Sequence, residues 1–163
     1  MIRTERLLLR KPQLDDDLAE FVADDAVQRW IGGPEDPAAL IERWVGRWER
    51  NGVGPFLVEL DGRLIGRVGF IVWDNRTWET STYDLAGAHA ETELGWAILS
   101  SHWANGYATE AARAAREWIE RDRIISLIDP ANVRSQRVAE KLGARPTERV
   151  TTPHAEADVW VHP

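Results

Sequence analysis

The stretch Trp103-Ala104-Asn105-Gly106-Tyr107-Ala108-Thr109-Glu110-Ala111 decides how the rest of the chain is read. A glycine turn runs straight into an alanine-rich helix, and the apolar strand Leu94-Gly95-Trp96-Ala97-Ile98-Leu99 lies just before it. The first N–H groups of a helix have no internal partner and carry the positive end of its dipole. A strand, a tight turn and a helix start therefore make an anion site, suited to a diphosphate-bearing cofactor. Small side chains at Ala104, Gly106 and Ala108 allow close approach to the backbone.

Working outward, the helix after Gly106 places Ala108, Ala111, Ala112, Ala115, Trp118 and Ile119 on one stripe. Ile124 to Ile128 reads as a short strand buried on both faces, and Asn132 to Leu142 as a helix stopped by Gly143. A closing hairpin follows over Glu148 to Thr152 and Asp158 to Val161. Towards the N-terminus, Thr92 to Leu99 and the hairpin Phe56–Leu60/Leu64–Val72, turning at Asp61-Gly62, supply three strands. Asp74 to Ala90 is long for a connector and reads as a working loop or a hairpin extension. Before these, Leu7-Leu8-Leu9 is a first strand. One helix follows Asp15-Asp16-Asp17 with Leu18, Phe21 and Val22 inward, and Gly32-Gly33-Pro34 breaks the chain. A second helix runs from Pro37 to Asn51-Gly52. The order is strand, two helices, three strands, helix, strand, helix, two strands: a mixed α/β sheet without the strict alternation of a doubly wound fold.

A chain of 163 residues, 44% hydrophobic and 29% charged, reads as one globular domain over residues 1–163. It has no membrane-length apolar run and no signal-peptide pattern. Cysteine is absent, which removes disulfides and thiol nucleophiles and fits a cytoplasmic location. A net charge of −7 disfavours nucleic acid as a partner and suits cationic partners such as amines. His89, His102, His154 and His162 show no metal-ligand spacing, so no metal is expected and all four read as surface residues. No Gly-x-Ser-x-Gly elbow is present. Most of the nine tryptophans should be core or pocket wall.

Two groups of polar residues have both bland and chemical readings. Glu91 and Glu93 alternate with Thr92 and Leu94 and so share one face of their strand. Either is a solvated carboxylate, an arginine partner, or a base that deprotonates an ammonium group. Asn132 and Ser135 begin a helix, where both residue types cap well. Trp30, just before the Gly32-Gly33 break, is the tryptophan best placed to wall a substrate pocket, whereas Trp44 and Trp48 read as core.

Four segments in order resemble the GNAT superfamily of N-acetyltransferases, and among them the branch of ribosomal-protein N-terminal acetyltransferases. Thr4-Glu5-Arg6-Leu7-Leu8-Leu9-Arg10 is similar to that branch's opening strand, and Glu93-Leu94-Gly95-Trp96 to its central strand. Gly106-Tyr107-Ala108-Thr109-Glu110-Ala111 resembles its cofactor loop and helix. Asp129-Pro130-Ala131-Asn132-Val133-Arg134-Ser135 and Glu140-Lys141-Leu142-Gly143 resemble its later strand-to-helix segment. The resemblance implies a central, mostly antiparallel sheet flanked by about four helices, with acetyl-CoA as co-substrate. The amides of Ala104, Asn105, Gly106, Tyr107, Ala108 and Thr109 would hold the pyrophosphate. The backbone of Trp96, Ala97 and Ile98 would pair with the pantetheine arm, and Asn132 would contact the coenzyme. It favours Glu93 as base and Ser135 as the acid for the departing thiolate. The tyrosine that serves as acid in many members falls at Ala139. Trp103 stands at the usual Gln/Arg position, and Ala104 and Asn105 replace a glycine and a basic residue, which removes one charge from the loop.

The expected reaction is direct attack of an amine on acetyl-CoA, with no covalent enzyme intermediate. The acceptor is a peptide N-terminus or a small cationic amine such as an aminoglycoside or a polyamine. The protein is expected to act as monomer or homodimer, without nucleic acid or membrane. The alternative is a non-catalytic acyl-CoA-binding or interaction module on the same fold.

Overall fold

A computed structural model describes residues 1–33 and 35–163. Pro34 of the Gly32-Gly33-Pro34 break lies outside the described residues. The elements are β1 (Ile2–Arg3), β2 (Leu7–Arg10), α1 (Ala19–Ala23), α2 (Asp25–Ile31), α3 (Pro37–Asn51), β3 (Pro55–Leu60), β4 (Arg63–Asp74), β5 (Glu79–Thr80), α4 (Tyr83–Ala86), β6 (Ala90–Ile98), α5 (Tyr107–Trp118), β7 (Ile125–Ile128), α6 (Val133–Lys141), β8 (Arg145–Thr151) and β9 (Glu156–Val161). The strands form one sheet in the order β1-β2-β3-β4-β6-β7-β9-β8, with β5 on β4. Every pairing is antiparallel except β6 with β7, whose parallel crossover is made by α5. No helix among the described residues is long and apolar enough to cross a membrane.

Among the described residues there are six helices where the sequence predicts four. The helix expected after Asp15-Asp16-Asp17 is two short ones, because Asp24 takes an extended conformation between them. Its carboxylate accepts the Ser100 amide at 2.7 Å and the Ser100 hydroxyl at 3.1 Å, so the break ties α1 and α2 to the end of β6. Nor do the three aspartates act alike: Asp17 accepts the Ala19 amide, whereas Asp16 holds Arg10. The ladder of β4 with β6 ends at Asp74 opposite Ala90, so the Asp74 to Ala90 connector is mainly a loop and extends the hairpin only through the two-residue β5 paired with β4. Its tip carries β5 and the one-turn α4. The two-residue β1, paired with β2, has no counterpart in the sequence reading; the other elements fall within a few residues of expectation, and α3 begins at an Asp36 cap, with Pro37 in its first turn.

Alternation along the strands divides the core between two faces. Phe56, Val58, Phe70 and Leu94 face α5, whose Ala111, Ala112 and Ala115 are fully buried and let the helix lie close. Trp118 ends α5 half in solvent but still packs edge-on against Phe56, and Ile119 is buried just beyond the last turn. On the opposite face Leu57 and Ala97 meet Leu18, Phe21, Leu40, Ile41 and Trp44 from α1 and α3. The central strand β6 thus carries α5 on one side and the N-terminal helices on the other.

Candidate active site

Between β6 and β7 the ladder is a single pair, Glu93 opposite Ile125. Beyond it the strands part, and a cavity of about 590 Å³ opens between Leu94–Ile98 on one side and Ser126–Ile128 on the other. A strand edge without a ladder partner can accept an extended ligand as an added strand. Glu93, Trp96, Ala97, Ile98, Ala108, Asn132, Ser135 and Trp30, all expected at a site from sequence, line this one cavity. Trp96 brings an indole N–H that is buried without a partner among the described residues.

The loop at the end of β6 is built for turning. Ala104 adopts φ 61° and Gly106 φ 79° at the α5 N-cap. Glycine enters that region freely, whereas alanine does so at a cost of about 1–2 kcal/mol. Asn105 donates its side-chain amide to the His102 and Trp103 carbonyls and so folds the turn. The first intrahelical bond runs from the Glu110 amide to the Gly106 carbonyl, which leaves the amides of Tyr107, Ala108 and Thr109 without helical partners. Ala104, Asn105, Gly106, Tyr107 and Thr109 sit beside the cavity and do not line it; the Thr109 side chain is buried.

Arg6 was not read as part of this region. It donates to the Asn105 carbonyl at 2.9 Å, pairs with Glu110 at 2.7 Å and lies over the Tyr107 ring. Glu110 also accepts Thr4 Oγ1 at 2.6 Å. Burial pushes the Glu110 carboxyl up, but its bonds from Thr4 and Arg6 outweigh that and hold it below the ordinary range. A second guanidinium, from Arg134 at the start of α6, stacks 3.9 Å from the Trp103 ring and lines the cavity. Trp103 in turn donates its indole N–H to the Ile98 carbonyl at 2.7 Å. Two arginines distant in sequence therefore flank the loop that lacks its own basic residue.

Asn132 caps α6: its side chain accepts the Ser135 amide at 3.2 Å and donates to Ser135 Oγ at 3.1 Å. Because Ser135 Oγ accepts that bond, its own proton is free to be donated. Glu93 is buried and accepts the Trp73 indole N–H at 2.6 Å. Burial raises its carboxyl pKa; the Trp73 bond and the charges of Arg67 and Arg47 oppose this without cancelling it. Glu91 separates from it, forming an ion pair with Arg123 at 3.0 Å and lying outside the cavity lining.

His162 corrects the surface reading of the histidines. It is 4% exposed, and its Nε2 lies 2.8 Å from the buried Ser126 Oγ. Ser126 gives its proton to the Leu94 carbonyl, so the histidine must donate from Nε2. Burial, reinforced by Arg116, lowers the His162 pKa to about 4 and keeps the ring neutral. Ser126 is thus a donor held in place, without a base to activate it.

Three arginines, Arg43 and Arg47 on α3 and Arg67 on β4, complete the wall that these two elements supply. Arg43, Arg47 and Arg67 line the cavity together with Glu35, Trp73 and Glu93. Arg43 and Glu35 form a two-point ion pair, with one contact at 2.6 Å. In sequence, Arg67 is signalled by its place amid the apolar run Leu64 to Val72, and Arg43 and Arg47 by helical spacing around Trp44.

An open central-strand edge and a buried carboxylate share one cavity, a glycine-led helix start lies beside it, and the arrangement suits an acyl-CoA N-acyltransferase. The match to the Acetyltransferase (GNAT) domain family spans residues 6–145, and the chain belongs to that family of acetyl-CoA-dependent N-acetyltransferases. The uncharacterized N-acetyltransferase YnaD of Bacillus subtilis is 30% identical over 154 residues, covering 88% of this chain and 82% of its own. An acetyltransferase structure from Agrobacterium tumefaciens superposes with a TM-score of 0.78 at 27% identity, over 99% of this chain and 93% of that one. The fold is also shared, at 21% identity and a TM-score of 0.75 over 97% and 93% of the two chains, with AAC(6')-Ib in complex with ribostamycin and coenzyme A.

Proposed function

We propose that the chain works as one domain over residues 1–163 and transfers acetyl from acetyl-CoA to a primary amine by direct attack within a ternary complex. The observation that carries this reading is the single cavity shared by the open β6 edge, Glu93 and Ser135. The thioester arm lies along Trp96 to Ile98, the pyrophosphate meets the free amides before Glu110, and Arg134 and Asn132 lie beside it. Glu93, as carboxylate, takes one proton from the acceptor's ammonium group. The freed nitrogen lone pair attacks the thioester carbonyl, and a β6 amide stabilises the oxyanion. Collapse breaks the C–S bond; the departing sulfur takes the Ser135 hydroxyl proton, and the extra proton that the amide nitrogen sheds restores the Ser135 hydroxyl. Positioning supplies much of the rate, as no covalent intermediate is formed.

Among acceptors, polycations suit the acidic surface but meet arginines inside the cavity, which weighs against aminoglycosides and polyamines. Release of free thiol from acetyl-CoA, followed with peptides, aminoglycosides, polyamines and small amino compounds, tests catalysis. Amine-dependent release is expected. Tight acetyl-CoA binding with no release for any amine would instead support the non-catalytic module.

A further inference from the structure

We infer that the amine acceptor carries an anionic group, a carboxylate or a phosphate, which is bound by Arg47 and Arg67. This deepens the acetyltransferase reading and rests on it. Arg47 and Arg67 are half-buried, line the cavity beside Glu93, and neither donates a hydrogen bond to nor forms an ion pair with any described residue. Arg43 is already committed to Glu35. On this wall three guanidinium groups therefore face two carboxylates, one of which is the base. Asp129 and Glu156, the cavity's other carboxylates, belong to the opposite wall, at the end of β7 and on β9.

A cation half-withdrawn from water without an ion-pair partner is held at some cost to the fold, so its presence calls for a reason outside folding. The cost is visible here: burial and the neighbouring arginines lower Arg47 to about 10, and burial lowers Arg67 as well. An entering anion would remove that penalty, and guanidinium forks match carboxylate and phosphate oxygens in two-point geometry. A polycation would add to it. Trp30 and Trp73 then flank the uncharged part of the acceptor.

Matched pairs test this: phosphoethanolamine against ethanolamine, β-alanine against its amide, and glucosamine 6-phosphate against glucosamine, with spermidine and kanamycin as cationic controls. Thiol release should favour the anionic member of at least one pair by about 10-fold or more in kcat/KM, and the pair that does so distinguishes phosphate from carboxylate. Arg47→Gln and Arg67→Gln should each raise KM for that acceptor about 10-fold to 100-fold while leaving acetyl-CoA affinity unchanged. Arg67→Gln should also keep or raise Tm, which separates it from a folding defect.

Calorimetry of phosphoethanolamine and β-alanine into protein saturated with coenzyme A gives a readout that needs no turnover. Binding by the wild type, lost in the double variant, supports the inference even if no amine releases thiol, an outcome that would overturn only the catalytic reading. Preferential use of ethanolamine, spermidine or kanamycin overturns the anionic acceptor, as does absence of anion binding or its persistence in the double variant.

Discussion

At the residue scale, Glu93 shows how burial sets chemistry. A carboxylate at its ordinary value near 4.5 is a weak base for an ammonium group, and burial raises this one. Because the base acts unprotonated, kcat/KM should climb as pH rises through the Glu93 pKa, from a point above the ordinary glutamate value, and then level off. The stability term has the opposite sense. A raised folded pKa gives a contribution present below the unfolded value and lost as pH rises through the folded one. Glu93→Gln should lower kcat by about 100-fold to 10,000-fold, remove the acid limb of the profile, and leave the Kd for acetyl-CoA nearly unchanged. A pH series of initial rates, with binding by calorimetry, checks this; an unaltered acid limb would reassign the base. Sequence alternation placed Glu91 and Glu93 on one face but could not separate them, because the difference lies in Trp73 and Arg123, partners 20 and 32 residues away. Arg47 and Arg67 are hidden in sequence for a similar reason: a charge amid apolar residues is a signal, but only the folded cavity shows that no acid pairs with it.

At the scale of elements, the proposed coenzyme loop is supported from outside itself. Alanine at the left-handed position Ala104 is strained, and the turn before β2 compensates by clamping the loop through Arg6 and Glu110. The Arg6 side chain is 41% exposed, so the ion pair is screened and its worth is at most about 1 kcal/mol. Arg6→Ala should therefore weaken acetyl-CoA binding by about 3-fold to 5-fold while kcat at saturating coenzyme changes little, measurable by calorimetry and initial rates. No loss of affinity would mean that the loop holds its shape unaided. The helix start and its glycine were legible because the anion site is local, three or four residues long. The clamp was not, since Thr4 and Glu110 are joined only when β2 is laid beside α5. The same limit explains the divided N-terminal helix: Leu18, Phe21 and Val22 have helical spacing, yet Asp24 leaves the helix to bind Ser100, far along the chain.

For the whole molecule, the sheet is continuous in connectivity but nearly severed at its centre. The strands β1 to β4 with β6 form one half and β7, β9 and β8 the other, joined in the sheet by the single Glu93–Ile125 pair. Element types and the hairpins were readable from period and turn residues, and the family resemblance supplied the mostly antiparallel sheet. The parting of β6 from β7 has no local sequence signal, because it concerns the pairing of two strands that all of α5 separates in the chain. A ligand lying along β6 and touching Asn132 and Arg134 would bridge both halves and stabilise the folded state alone. Acetyl-CoA at about 100 times its Kd should add about 2.7 kcal/mol, and for a chain of this length that corresponds to a rise in Tm of about 5–10 °C. Gly106→Val places a branched side chain at φ 79°, where valine is strained, and adds bulk at the proposed pyrophosphate position. The comparison is therefore the ligand-induced shift within each variant, read by calorimetric melting, and it should fall to near zero for Gly106→Val. A shift of equal size in both proteins would mean that the coenzyme is held elsewhere, and the open strand edge would need another occupant.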